Sequence, residues 1–237
     1  MPGSELKAGA RSLILKNFPK ILVISLVYVF LITVVSWLSI RLPGNINQQD
    51  IIDRIASGEI PGLGIIYTNF RPVGIFLALL LLILQPALDL GFISYCMKIN
   101  RGQNAEFNDI FNGFLLLLKV ISLFLTISFF VFLWSLLVII PGIVASYRYR
   151  LAYYILLDDP EKSVLQCITE SKLMMFGRKV DLFIIDLSFL GWYILDTLVY
   201  FLIPLPFMIP LISIWLSPYI GLTRAAFYED RITNIAV

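Results

Sequence analysis

Residues 21–40 form a run of twenty amino acids without a charged side chain. At about 1.5 Å of rise per helical residue, this run alone reaches across the ~30 Å hydrocarbon layer of a bilayer. A backbone in lipid must satisfy its own hydrogen bonds, which leaves helices and closed barrels as the available forms. Runs this long and apolar belong to helices. The pattern recurs along the chain. Residues 73–97 are apolar except for Asp89, and residues 114–147 are apolar apart from Lys119. Pro141-Gly142 punctuates that long stretch and divides it into spans at 114–140 and 143–157. Spans at 181–203 and 207–227 follow, with Pro204, Pro206 and Pro210 at the turn between them and Pro218 kinking the last. The expectation is an all-α, polytopic transmembrane bundle of about six spans, forming one integral membrane domain over residues 1–237.

Composition excludes the soluble alternative. Hydrophobic residues make up 59% of the 237, charged residues 14%, and the mean hydropathy is +0.89. Soluble domains hold about 45–50% apolar and about 25% charged residues. They leave too much surface exposed to hide such an excess. A net charge of +2 gives no reason to expect nucleic acid. The absence of histidine removes imidazole metal ligands, bases and proton relays together. No metal site or cofactor is expected. Cys96 and Cys167 lie far apart, both on the side read as cytoplasmic, and are expected to be reduced thiols.

Charge bias orients the spans. With six spans and an internal N-terminus, the inner segments hold four, two, four and two Lys or Arg, whereas the sizeable outer loop at 41–72 holds three. Basic residues favour the cytoplasmic side of short loops, so both termini are expected there, in the cell membrane. Amphipathic stretches flank the spans. Leu6, Ala10, Leu13 and Ile14 share a face before the first span and read as an interfacial helix. A short outer helix is expected around residues 47–57. Phe107, Ile110, Phe111 and Phe114 fall at i, i+3, i+4 and i+7. Asp159, Pro160 and Glu161 have helix-start chemistry, giving an expected inner helix from Pro160 to Phe176 that Gly177 closes.

Five segments follow one another in order: RGQNAEFNDIFNGF, IIPGIVASYRYRLAYYILLDDP, ESKLMMFGRKVDLF, DLSFLGW and SPYIGLTRAAFY. As a set they resemble an uncharacterised integral-membrane family of Gram-positive bacteria, catalogued as domain of unknown function 975. The resemblance covers nearly the whole chain and implies a six-helix membrane fold. It implies no activity and carries over no catalytic residue.

Charges deep in a span are costly and therefore informative. Counted from the inner ends of their spans, Asp89, Arg148, Arg150 and Asp186 fall ~10–15 Å deep, in one layer of the inner leaflet. One reading is an ion-pair layer that pins three spans together. The other is a polar cavity for an ion, a proton or a lipid headgroup. Arg148 and Arg150 are about 200° apart on a helix and cannot face one site, whereas Tyr147, Arg150 and Tyr154 share a face. Arg150 is expected to pair with Asp186 or, failing that, with Asp89. Lys119 and Asp196 lie near enough to the surfaces to snorkel. Among nucleophile and phosphate motifs, the sequence has no G-x-S-x-G, H-E-x-x-H, P-loop or G-x-G-x-x-G. An enzyme is not expected. Two functions stand. One is association with or regulation of other membrane components, with the lipid bilayer and another membrane protein as partners. The other is carriage of a small solute or lipid at the charged layer.

Overall fold

A computed structural model describes residues 1–41, 57, 72–202 and 211–235, with side chains over 1–34, 57, 83–199 and 212–234. Every regular element among them is helical, as the uncharged runs require. The helices are α1 (Gly3–Lys16), α2 (Lys20–Arg41), α3 (Pro72–Asn100), α4 (Asn112–Leu115), α5 (Leu117–Leu137), α6 (Ile139–Arg148), α7 (Ala152–Asp158), α8 (Val164–Met174), α9 (Lys179–Leu187), α10 (Leu190–Leu202) and α11 (Leu211–Ile235). Residues 1–30 with 86–237 form one compact unit, and residues 31–85 form another. The outer helix expected around 47–57, apart from Ser57, and the proline turn at 204–210 lie outside the described residues.

Among the described residues, Leu117–Leu137 and Lys179–Val199 are long and apolar enough to cross a membrane. Gly3–Lys16 with Lys20–Val34 makes a third if that pair, bent by 103°, counts as one. The structure therefore supports two or three such helices where the sequence leads one to expect six. Helices α2 and α3 run unbroken for 22 and 29 residues.

The long apolar stretch breaks at Val138, not at Pro141-Gly142. Val138 is extended (φ −160°, ψ 150°), and α6 begins at the next residue. Pro141 falls in the first turn of α6, where a missing N–H costs nothing. Gly142 instead serves the hairpin, because a Cβ there would stand 2.0 Å from Ser135 Oγ on α5. The span expected at 143–157 is divided as well, into α6 and α7 by the turn at Tyr149–Leu151.

Helix α1 also departs from expectation. Its apolar stripe does not lie free for a membrane surface: Leu6, Ala10 and Ile14 are buried, packed against α11 and α9. Lys7 donates to Ser188 Oγ at 3.1 Å, and the N-terminal amine pairs with Asp230 at 2.9 Å.

A polar network closes one end of the main unit. The Arg101 guanidinium grips Asp158 through Nη1 and Nη2 (2.7 and 2.9 Å) and Glu229 through Nε (2.7 Å). Tyr228 donates to the same Asp158 at 2.7 Å. Charge-assisted, two-pronged contacts of this kind fix geometry as well as energy, so the ends of α3 and α7 are tied to α11 at Tyr228 and Glu229. Beside them Asp109 accepts from Lys98 Nζ (2.6 Å), the Glu106 N–H (2.8 Å) and Asn112 (3.2 Å). Burial pushes the Asp109 carboxyl up, but Lys98 and the two N–H donors outweigh it, and its pKa ends below the ordinary 3.8.

Helix α8 starts later than expected. Asp159 Oδ1 accepts the Glu161 N–H in a turn, and Ser163 is the cap: its Oγ accepts the Gln166 N–H (3.3 Å) while Gln166 Oε1 accepts the Ser163 N–H (2.8 Å). Gly177 turns the chain after α8 with φ +72°. Cys96 and Cys167 are free and buried, as reduced thiols should be.

Candidate functional site

Three helices and one turn bring charge to a single place, because each carries an isolated ionisable residue that cannot face hydrocarbon. Asp186 on α9 is the hub. Its Oδ1 accepts from Arg224 Nε (3.0 Å) and Nη2 (2.9 Å), and its Oδ2 accepts from the Tyr147 hydroxyl (3.2 Å). Arg150, in the turn after α6, reaches only 3.8 Å from Oδ2. Asp89 on α3 takes a 2.7 Å hydrogen bond from the Tyr28 hydroxyl of α2, and the Tyr28 ring stacks on Phe92 at 4.1 Å.

A cavity of about 350 Å³ opens on this cluster. Asp89, Arg150 and Arg224 supply its charge, Tyr28, Tyr153, Tyr154, Tyr193 and Ser217 its hydroxyls, and Phe92, Ile93, Phe124 and Ile220 its apolar wall. Partners are unevenly shared among these groups. Arg224 has a two-donor contact and 24% side-chain exposure, whereas Arg150 keeps 39% and, among the described residues, has no carboxylate closer than 3.8 Å. Arg150 is the cation with donors to spare. A planar guanidinium with free N–H groups in a low-dielectric wall suits a carboxylate or phosphate group.

The sequence-derived layer is brought together in part. Asp89 and Arg150 line the cavity, and Asp186 stands behind it against Arg150 and Arg224; Arg148 joins neither. Its side chain pairs with no carboxylate among the described residues, and what it contributes is a backbone carbonyl that accepts from Ser171 Oγ (3.0 Å). The pair of Arg150 with Asp186 is present but loose. The closer partner, Arg224, stands in the sequence where a cytoplasmic flanking charge would, yet α11 continues to Ile235 and holds it within the helix. Its signal is that it is the one charge in residues 212–228. Tyr28 carries no such signal, being one phenol in an apolar run. Asp196 is not a snorkelling surface acid: it is buried and accepts the Ile212 N–H (3.1 Å) and the Ser213 hydroxyl, capping the start of α11. Lys119 donates to the Pro160 carbonyl. Among the described residues no group of three acidic or sulfur ligands is placed to hold a metal.

Fold and site thus define an all-helical protein with membrane-competent helices and a charged cavity. A family model described as "Protein of unknown function (DUF975)" matches residues 135–235, and the resemblance seen in the sequence holds over that part of the chain. The matched part runs from the α5–α6 turn through α11. It holds Arg150, Asp186 and Arg224, but not Asp89 or Tyr28. No curated protein and no solved structure matches the chain.

Proposed function

We propose that this is a multi-pass cell-membrane protein that holds the anionic group of a small solute or lipid in the cavity beside Arg150. The observation that carries the reading is the mismatch at Arg150: a cavity-wall guanidinium whose nearest carboxylate is already taken by Arg224 and Tyr147. Apolar and aromatic walls with a few convergent polar groups are the usual make-up of a small-molecule site. The proposed role is non-enzymatic. In the membrane, α2, α3, α9–α10 and α11 cross, and the α5–α6 hairpin enters and leaves by one side. Both termini are then cytoplasmic, with six apolar segments in the bilayer.

The test uses the purified full chain, with inorganic phosphate and nanodiscs containing phosphatidic acid as probes. Native mass spectrometry should retain phosphatidic acid on the wild type and lose it on Arg150→Gln, with melting unchanged between them. A melting shift with phosphate alone, also lost in Arg150→Gln, assigns a soluble anion instead. If neither probe binds, or if Arg150→Gln binds as well as wild type, the reading fails.

A second reading, association with another membrane protein, is supported by Leu165, Leu173 and Phe176, which stand 61%, 68% and 81% exposed on and just after α8. A partner captured from native membranes by wild type but not by Leu173→Ser with Phe176→Ser would favour it.

A further inference from the structure

From the packing around α5 and α6 we infer that these two helices form a re-entrant hairpin whose tip ends within the bilayer and never reaches the far surface. The inference concerns how the chain meets lipid, and it stands apart from the ligand reading above.

Helix α5 has two unlike halves. Along its first part, where Leu118, Leu125 and Phe129 are also exposed, runs α8, packed also on α7 and presenting Leu165 and Leu173 outward beside polar and charged side chains. Lys119 near the start of α5 donates to Pro160, and Lys172 near the end of α8 stands 5.8 Å from the Phe130 ring and 5.7 Å from that of Tyr149. Between these points α8 exposes Gln166 and Thr169 along with Leu165 and Leu173, and Lys162, just before the helix, pairs with its Glu170 at 2.8 Å. If all of α5 lay in hydrocarbon, this helix and the charges of Glu170 and Lys172 would lie there with it. Its Lys172 would then lie at the level of Phe130, ~20 Å from the start of α5 and deep in hydrocarbon, where charge is costly. The hydrocarbon boundary therefore falls near the level of Lys172, Phe130 and Tyr149.

Beyond that level α6 still meets α9 through Tyr147, but the tip of the hairpin is uncovered. All nine residues from Phe132 to Ile140 are exposed, and all but Ser135 are apolar. Ser135 turns its hydroxyl back to the Val131 carbonyl (2.8 Å), so even this group is satisfied as lipid requires. The occupant of such a surface is acyl chain. Geometry then fixes the depth. From Phe130 to Val138 is ~12 Å of helix, and the ten residues of α6 return over ~15 Å. A tip ~12–15 Å past the boundary lies near the midplane of a ~30 Å hydrocarbon layer.

The experiment places one probe at the tip. In the full chain with Cys96→Ser and Cys167→Ser, Val138→Cys is labelled with an environment-sensitive fluorophore and reconstituted into vesicles. The lipids carry nitroxide at shallow or deep acyl positions. Quenching should be strongest for nitroxides near the chain ends. In intact cells a membrane-impermeant maleimide added outside should leave the Val138→Cys variant unmodified, while it modifies a Gln48→Cys variant in the same background. Modification of the Val138→Cys variant from outside would overturn the inference, as would shallow nitroxides quenching best. Quenching that is weak at every depth would overturn it too, since the tip would then be covered by protein. If the triple variant folds poorly, the native Trp134, four residues from the tip, gives the same depth reading in a Trp37→Phe, Trp192→Phe, Trp215→Phe background.

Discussion

Asp186 carries two donors of one guanidinium on Oδ1 and a phenol on Oδ2, so its removal strands more than its own charge. Breaking a fully buried pair costs roughly 3–5 kcal/mol. Here Arg224 keeps 24% exposure, which lowers the expected cost of Asp186→Leu to about 2–3 kcal/mol. Arg150→Leu should cost less than about 1 kcal/mol, because its 3.8 Å contact is long and its side chain is 39% exposed. Melting in detergent of the single variants and both doubles measures the coupling. Asp186→Leu with Arg224→Leu should recover part of the loss, and Asp186→Leu with Arg150→Leu little of it. Equal recovery in both would show that the hub is shared evenly and that Arg150 has no donors to spare. Asp109 gives the pH test. Its folded pKa is lowered, so its stabilisation is complete above the unfolded value of about 3.9 and is lost as pH falls through the folded one. Wild type should lose melting temperature below about pH 4 more steeply than Asp109→Asn, which starts lower and has a flatter acid limb. Parallel limbs would contradict the assignment.

Among the elements, the helical runs are legible in the sequence because a charge-free stretch of twenty residues leaves few other folds, but their ends are not. The break at Val138 carries no turn residue, whereas Pro141-Gly142, three residues on, draws the boundary because both residue types do break helices. In the structure one sits in the first turn of α6 and the other lets α6 press on α5. The start of α8 is displaced by the same kind of competition. Asp159-Pro160-Glu161 has the composition of a helix start but forms a turn, and the reciprocal cap lies at Ser163 and Gln166. The RGQNAEFNDIFNGF segment reads as an aromatic stripe, and its second role is invisible without coordinates. It lays backbone against α3 so closely that a Cβ on Gly91 would fall 1.7 Å from the Ile110 carbonyl oxygen. No side-chain motion relieves a clash with backbone. Gly91→Ala should therefore separate α3 from the 107–115 segment and cost more than the ~1–3 kcal/mol of ordinary overpacking. Limited proteolysis should cut first near residues 103–106, and a variant that melts like wild type would refute the close approach.

At the scale of the whole molecule, the depth of the hairpin and the side of the termini are separate questions. The α5–α6 pair adds two crossings if it spans and none if it turns back, so parity is the same either way. In the proposed topology the remaining segments, α2, α3, α9–α10 and α11, make four crossings. An even count puts residue 1 and residue 237 on one side, and the basic segments, twelve Lys or Arg against three in the outer loop, favour the cytoplasm for that side. The packing of α1 agrees with this count: its N-terminal amine pairs with Asp230, so the start of α1 and the last turns of α11 lie together. A reporter active only outside the cytoplasm should be silent when fused after Val237 or before Met1, and active when inserted near Gln48. A cytoplasmic reporter should give the opposite pattern at all three places. Opposite signals at the two termini would mean an odd number of crossings. Neither the spanning nor the re-entrant hairpin yields an odd number, so the failure would have to lie in α2, α3, α9–α10 or α11.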